Sequence, residues 1–479
     1  MNKTIIFVGG GISGLSGGIH AQLAGYKSIV LEKDPRLGGF CTTWKRGDYI
    51  FDGMMHFLYG SKAGTYYNNF WKTLGILDQV QFKPLDSLRG IRTKDGDTFD
   101  IWKEPAKFRE EMRRYCTNDQ DRASVEVVIH DILTCTKDYS EHSLMPGEDT
   151  PIEPNYESSK QYFDRLFTNK KLALMATQVF GERPSLKSHL KCIAGFMSGD
   201  LLYPDGGSHN FANKVANTLR NLGGETMNNA EVMKVNIDGT KATEVVLKNG
   251  DIVKADHIVF SSDITHAYSL IPRDKYRNIK LEKVLEEADI YPSAVLINFG
   301  MKSKMLFETS YAFHRIHELH TPVKVCGQLL GMPNLRYLQS ESFHPKDESI
   351  LQLLAYISYD KWVSLKGNKK AYNQHKKDIT NQFIEQLELI YPGFKSNIKI
   401  VVTATPLTFE RYTHNAKGGF MSFAQTDKNV QFANILRDPF VGLSNVHIGS
   451  NWRGLYSGLA CAAENGKVVV DRIKKMDGI

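Results

Sequence analysis

Cysteine is scarce in this chain: six in 479 residues. Cys41, Cys116, Cys135, Cys192, Cys326 and Cys461 lie far apart and never form a Cys-x-x-Cys pair. That spacing excludes a disulfide scaffold and argues against a zinc site or a redox-active couple, leaving reduced, buried thiols of a cytosolic protein as the expectation. Long apolar runs are missing too. With no stretch of about 18 apolar residues, no segment is expected to cross a bilayer. Lys3 ahead of the apolar run Thr4 to Val8 imitates a signal peptide, but the glycines that follow break the run and exclude that reading. Charge of one sign is equally sparse. Lys plus Arg number 60 against 53 Asp plus Glu, a formal +7 that is too mild to argue for nucleic acid; attraction to anionic lipid or to an acidic ligand stays open. Disorder is excluded by 42% hydrophobic and 11% aromatic residues. At about 100–200 residues per domain, the length implies two or more domains.

What is present begins at once. Thr4-Ile-Ile-Phe-Val8 is a β-branched, apolar run suited to a buried parallel strand. Gly9-Gly10-Gly11-Ile12-Ser13-Gly14 then reads G-x-G-x-x-G. Ile12, Leu15, Ile19 and Leu23 recur at helical spacing, Gly25 falls where a helix stops, and a second strand, Ser28 to Leu31, ends on Glu32. The order is physically specific for a dinucleotide. Gly9 permits the tight turn, Gly11 lets a pyrophosphate reach the backbone, Gly14 brings helix and strand together, and the helix N-terminus offers N–H groups to the phosphates. Glu32 is placed to accept hydrogen bonds from the adenosine ribose, and its charge disfavours a ribose 2′-phosphate, hence NADP. The choice between NAD and FAD is still open at this point.

The following segment, Glu32-Lys33-Asp34-Pro35-Arg36-Leu37-Gly38-Gly39, adds a Gly-Gly pair that resembles the FAD branch of two-domain flavoproteins. Tyr49-Ile-Phe-Asp-Gly-Met-Met55-His56-Phe-Leu-Tyr-Gly60 resembles, with a one-residue shift near Gly53, the F-D-x-G-x-H-Y-x-G stretch of retinol saturases and carotenoid isomerases. Tyr203-Pro-Asp-Gly-Gly207, a helical pattern from Phe211 to Leu222, Gly223-Gly224 and Asn229-Ala-Glu-Val232 continue the likeness, as does Arg411-Tyr412-Thr-His-Asn415-Ala-Lys-Gly418. The chain thus looks like the phytoene desaturase, carotenoid isomerase and retinol saturase superfamily of FAD-dependent oxidoreductases, at both ends and in the middle.

That resemblance implies FAD as cofactor. The contacting set would be Gly9, Gly11, Ile12, Ser13 and Gly14; Glu32, Lys33 and Arg36; Gly38 and Gly39; Met55; Val232 at the adenine through its backbone; and Gly449 with Ser450. His56, in a stretch that runs toward the flavin ring, is the catalytic candidate, as hydrogen-bond donor or proton shuttle; a loop-fixing histidine is the alternative. No metal is expected: His314, His317 and His320 read as a loop edge. Ser450 departs from the family, which often has an acid there to hold the ribityl chain, so retention of FAD would be weaker. A Gly/Ala-rich helix from Leu455 to Ile473 would point its positive end, near Arg453 to Tyr456, at the flavin.

The fold expected is α/β. A discontinuous Rossmann-type FAD-binding domain would take residues 1–85, 201–272 and 440–479, and an α+β substrate domain 86–200 and 273–439, as in amine oxidases and phytoene desaturases. Ala242 to Leu247, an Asn249-Gly250 turn, Ile252-Val253 and His257 to Phe260 read as a small β unit of the first domain. In the second, Glu104–Tyr115, Tyr156–Val179 and Lys369–Ile390 read as helices, and Ala294–Gly300, Ile350–Ile357 and Ile398–Ala404 as strands; Met145 to Pro154 is turn-rich and polar. No second G-x-G-x-x-G occurs, so the flavin would exchange electrons with substrate, oxygen, a quinone or a transient donor. The expected function is FAD-dependent chemistry on C–C or C=C bonds of a lipophilic isoprenoid or polyene: desaturation, saturation or isomerisation. The alternatives are an amine-oxidase-like enzyme of a soluble metabolite and a non-catalytic flavin-fold interaction protein. Arg113-Arg114, Lys170-Lys171 and Lys376-Lys377 read as solvated helix faces, with peripheral contact at the inner face of a membrane as the other reading.

Overall fold

The computed structural model describes residues 3–53, 55–147, 150, 157–181, 185–304, 314–338 and 342–479. Thr4–Val8 and Lys27–Leu31 lie side by side and parallel, with Ile6 opposite Ile29 and Phe7 opposite Val30. Their apolar residues are buried on both faces, as interior strands of a helix-covered sheet require. The sheet runs Val446–Ile448, His257–Phe260, Thr4–Val8, Lys27–Leu31, Glu225–Met227, with every neighbouring pair parallel. Helix Ile12–Leu23 follows the glycine turn; Gly9 has φ +117, and a Cβ on Gly14 would stand 2.1 Å from the Gly9 carbonyl oxygen. The C-terminal helix Leu459–Asp477 packs on it backbone to backbone, since a Cβ on Gly466 would lie 2.3 Å from the Ser13 carbonyl oxygen.

The small antiparallel unit is Val232–Asp238, Lys241–Leu247 and Ile252–Lys254, turning at Gly250. His257–Phe260, expected with it, pairs instead with Thr4–Val8; all four of its residues are buried, which suits a central parallel strand and not a half-exposed hairpin.

A mixed seven-stranded sheet runs Ile398–Ala404, Ser293–Met301, Ser349–Ile357, Asn334–Leu338, His314–His317, Ser87–Arg92, Thr98–Trp102. Only the contact of His314–His317 with Ser87–Arg92 is parallel. Alternation divides its faces. Val295, Ile297 and Phe299 pack with Phe383 and Leu387 of helix Lys369–Ile390, while Leu296 and Leu354 look the other way, into a cleft. Helices Asp119–Glu141, Ser159–Leu166, Lys170–Phe180 and Leu186–Met197 cover the far end.

Three helices differ from the sequence reading, the one expected from Phe211 to Leu222 running from Gly207 to Asn221. The segment expected as Tyr156–Val179 is broken at residues 167–169 because Asn169 caps the following turn, accepting from the N–H groups of Lys171 and Leu172. Asp121 takes the Thr168 N–H at 2.7 Å, so the freed backbone is satisfied. Tyr156 itself, Met54 of the retinol-saturase-like stretch and most of the polar stretch after Gly147 lie outside the described residues. The last helix starts at Leu459, not Leu455, because Gly458 leaves the helical region at φ +117. Of the six thiols only Cys461 is fully buried. No described helix is long and apolar enough to cross a membrane.

Candidate active-site cleft

A cleft of about 1220 Å³ opens at the carboxyl ends of the parallel strands and continues beneath the seven-stranded sheet. That exceeds the roughly 300–1,000 Å³ of a site for one small ligand. Its first half is the glycine turn. The leading N–H groups of helix Ile12–Leu23 have no preceding turn to bond. Gly11, at its N-cap, faces open space, with no atom within 4 Å of a Cβ built there. Glu32 Oε2 accepts the Gly10 N–H at 2.8 Å and Oε1 the Asp34 N–H at 2.9 Å, leaving each oxygen a further lone pair. Burial raises the Glu32 pKa, against these two bonds. Gly38 donates to the Gly10 carbonyl at 2.8 Å, folding the glycine pair back onto the first turn. Ala230 donates to the Glu32 carbonyl at 2.8 Å, and so brings Val232 beside it.

Gly9, Gly11, Ile12, Ser13, Glu32, Lys33, Arg36, Gly38, Gly39, Met55, His56, Val232 and Ser450 all line the one cleft. Gly14 and Gly449 do not. Gly14 serves the helix–strand approach described above; Gly449 sits behind the wall between Val259 and Val469, its carbonyl accepting from the Ser13 hydroxyl. Lys33 pairs with Asp34 at 2.9 Å and Arg36 donates to the Thr43 carbonyl at 2.9 Å. Ser450 donates to the Ser262 carbonyl at 2.8 Å and caps the short turn Asn451–Arg453, so its proton is already committed. By contrast, the buried hydroxyls of Ser261 and Ser262 and Oδ1 of Asn451 have no hydrogen-bond partner among the described residues, although all three residues line the cleft. Buried polar atoms left this way call for a partner from outside the chain, a water, an ion or a ligand, and at a cleft a dinucleotide fits them. The helix end that faces the cleft is Gly458-Leu459 rather than Arg453 to Tyr456.

His56 lies where the two halves meet, with Nδ1 2.9 Å from Nε2 of His314 and the rings edge to face. Burial holds both pKa values well below 6.5, and Arg336 and Arg89 add to it. The pair is therefore neutral and shares one proton. Hydrogen-bond donation remains available to His56; an imidazolium acid does not. His314 was expected at a loop edge and is instead in the buried strand His314–His317, where alternation sends His317 to the opposite face, against the Tyr391 hydroxyl at 2.6 Å. Sequence reasoning missed His314 as the partner of His56, and Arg89, which lines the same cleft. Only strand periodicity in His314-Arg-Ile-His317 signalled the first.

Comparison with known proteins follows the same lines. A family model described as flavin containing amine oxidoreductase matches residues 12–474. The all-trans-retinol 13,14-reductase of Danio rerio is 23% identical over 475 residues, covering 86% of this chain and 76% of that protein. The phytoene desaturase of Fusarium fujikuroi is 23% identical over an aligned length of 536, covering 100% and 90%. Among solved structures, an oxidoreductase of Methanosarcina mazei has a TM-score of 0.68 at 13% identity, covering 98% of this chain and 100% of that one. A redesigned putrescine oxidase reaches 0.67 at 12%, covering 99% of each. At such identities the solved structures establish the two-sheet fold alone.

Proposed function

We propose, from the premise that this chain belongs to the flavin-containing amine oxidoreductases, that it binds FAD and oxidises, reduces or isomerises C–C or C=C bonds of a lipophilic, isoprenoid or polyene substrate. The observation that carries the reading is the single continuous cleft, one half fitted to a dinucleotide and the other walled by apolar side chains. The two sheets support a division into a FAD-binding part, residues 1–85, 201–272 and 440–479, and a substrate part, 86–200 and 273–439. Retinol reductase and phytoene desaturase, by their names, act on polyenes. Gly9 to Gly14 would hold the pyrophosphate, Glu32 the ribose, the Val232 segment the adenine, and the Ser261, Ser262 and Asn451 side chains the polar remainder.

FAD bound there would supply a two-electron donor or acceptor. The chain does the rest. Leu296, Leu354 and Phe409 keep water from the reacting carbons. Neutral His56, oriented by His314, donates a hydrogen bond into the cleft or passes a proton along the pair. The test is the visible spectrum of the purified protein, before and after FAD is added, followed by anaerobic mixing with polyenes and with amines. An oxidised-flavin band that changes on adding a polyene supports the reading. Absence of both the band and thermal stabilisation by FAD refutes it; reduction by polar amines alone moves the assignment to an amine oxidase.

A further inference from the structure

Acidic charge around the cleft is confined to one end. Among the described residues that line it, the three carboxylates, Glu32, Asp34 and Glu231, all stand at the nucleotide end. The substrate half carries Arg89, Lys191, Lys376 and Arg411 and no acid. Three of these cations are accounted for. Lys191 pairs with Asp138 at 2.6 Å, Arg411 is exposed at the rim with its guanidinium 4.7 Å from the Tyr412 ring, and Lys376 stands at the mouth near Tyr372.

Arg89 is different. It rises from strand Ser87–Arg92, half-buried on the cleft wall, and its hydrogen bond runs from Nη1 to the Val179 carbonyl at 3.3 Å. No carboxylate among the described residues pairs with it. A guanidinium has five donors in a fixed fork, and the Val179 carbonyl takes only one of them. The same cleft carries Leu88, Ile316, Met332 and Leu354 among the polar Gln178, His189 and Asn334. A histidine carries no negative charge whether protonated or not, so neither His56 nor His314 is a counter-ion.

We propose that the substrate half receives a lipophilic acid: an apolar chain lying along Leu88, Ile316, Met332 and Leu354, with an anionic end, a carboxylate by the fork geometry, held bidentate on Arg89. The inference rests on the proposed function and names the substrate class of that site. The same cations repel an ammonium group, so a diamine is the disfavoured occupant.

The test uses FAD-loaded protein and two matched pairs, all-trans-retinoic acid with all-trans-retinol and oleic acid with oleyl alcohol, plus putrescine, with Kd read from tryptophan fluorescence. At least one acid is expected to bind about 10- to 100-fold more tightly than its alcohol. Arg89→Met abolishes that preference while leaving the alcohol unchanged, and Arg89→Lys retains part of it. Melting temperature and FAD content report whether each variant is folded; if Arg89→Met is not, the wild-type pairs and Arg89→Lys decide. Equal affinity for acid and alcohol, equal weakening of both by the variants, no binding of either acid, or preference for putrescine overturns the proposal. An acid that binds through Arg89 yet leaves the flavin spectrum unchanged refutes the oxidoreductase reading and not this one.

Discussion

Removing the carboxylate of Asp52 probes how the segment that leads to Met55 and His56 is anchored. Asp52 is 0% exposed and Arg336, 3.3 Å away, is 3% exposed. Asp52 also accepts the Ser208 N–H at 2.7 Å, at the start of helix Gly207–Asn221, and the Tyr203 hydroxyl at 3.1 Å; its backbone carbonyl accepts from Gln352 at 2.7 Å. Arg336 already leaves Nε and Nη1 without partners. Asp52→Ala would therefore strand a guanidinium, an N–H and a hydroxyl in the interior, three residues before Met55 and four before His56. Breaking a buried ion pair from one side costs about 3–5 kcal/mol. A chain of this length that unfolds as one unit has an unfolding entropy of about 1 kcal/mol/K, so the melting temperature falls by about 3–5 °C. Arg336→Met alone is also destabilising. The double variant removes both charges and recovers part of the loss, a coupling of at least about 2 kcal/mol. Scanning calorimetry at one fixed scan rate, with FAD content recorded for each protein, makes the measurement. A midpoint for Asp52→Ala within about 1 °C of wild type, or a double variant whose loss is the sum of the two singles, refutes the reasoning.

Two glycines of one motif should respond in opposite ways. Gly11→Ala meets no chain atom and leaves the cofactor-free melting temperature unchanged, but it puts a methyl where the pyrophosphate would approach and weakens FAD at least about tenfold by titration; Gly14→Ala collides with the Gly9 carbonyl and lowers the cofactor-free melting temperature itself. Acid should unfold the protein early. Burial lowers the pKa of His317 and of His447 to about 3, so between the unfolded value near 6.5 and pH 3 the unfolded chain binds the extra proton at each; their contribution is intact above about pH 6.5 and is lost as pH falls toward 3. Stability measured from pH 7 to 4 should decline with a slope that His317→Gln reduces by about one proton; an unchanged slope contradicts the assignment.

The first fifty residues were readable because local order carried the meaning: strand, turn, helix, strand and acid are consecutive, and their physics is that of neighbours. The strands at Ser293–Met301 and Ser349–Ile357 were visible for the same reason, as apolar runs. What could not be read was pairing at a distance. His56 meets His314 across 258 positions, and nothing in either neighbourhood names the other. The break before Lys170 depends on Asp121, on a different helix, which makes the Asn169 cap win over continuing the helical pattern. Arg89 gives no sign in sequence of being a cation that no described carboxylate pairs with, because that depends on where the fold places the acids.

The parallel sheet has a consequence for the order in which the molecule is made. Its five strands begin at residues 4, 27, 225, 257 and 446, and the helix that lies against the glycine turn ends at Asp477. A growing chain on the ribosome thus releases the first half of the proposed nucleotide site long before it releases the edge strand and the helix that close it. The seven-stranded sheet, complete by Ala404, can assemble first, and the nucleotide half waits as an open scaffold until synthesis is nearly over. Loading of a nucleotide cofactor would then be a late event, and a stop codon after residue 439 and before 446 would leave the proposed substrate part with nothing to close the site above it.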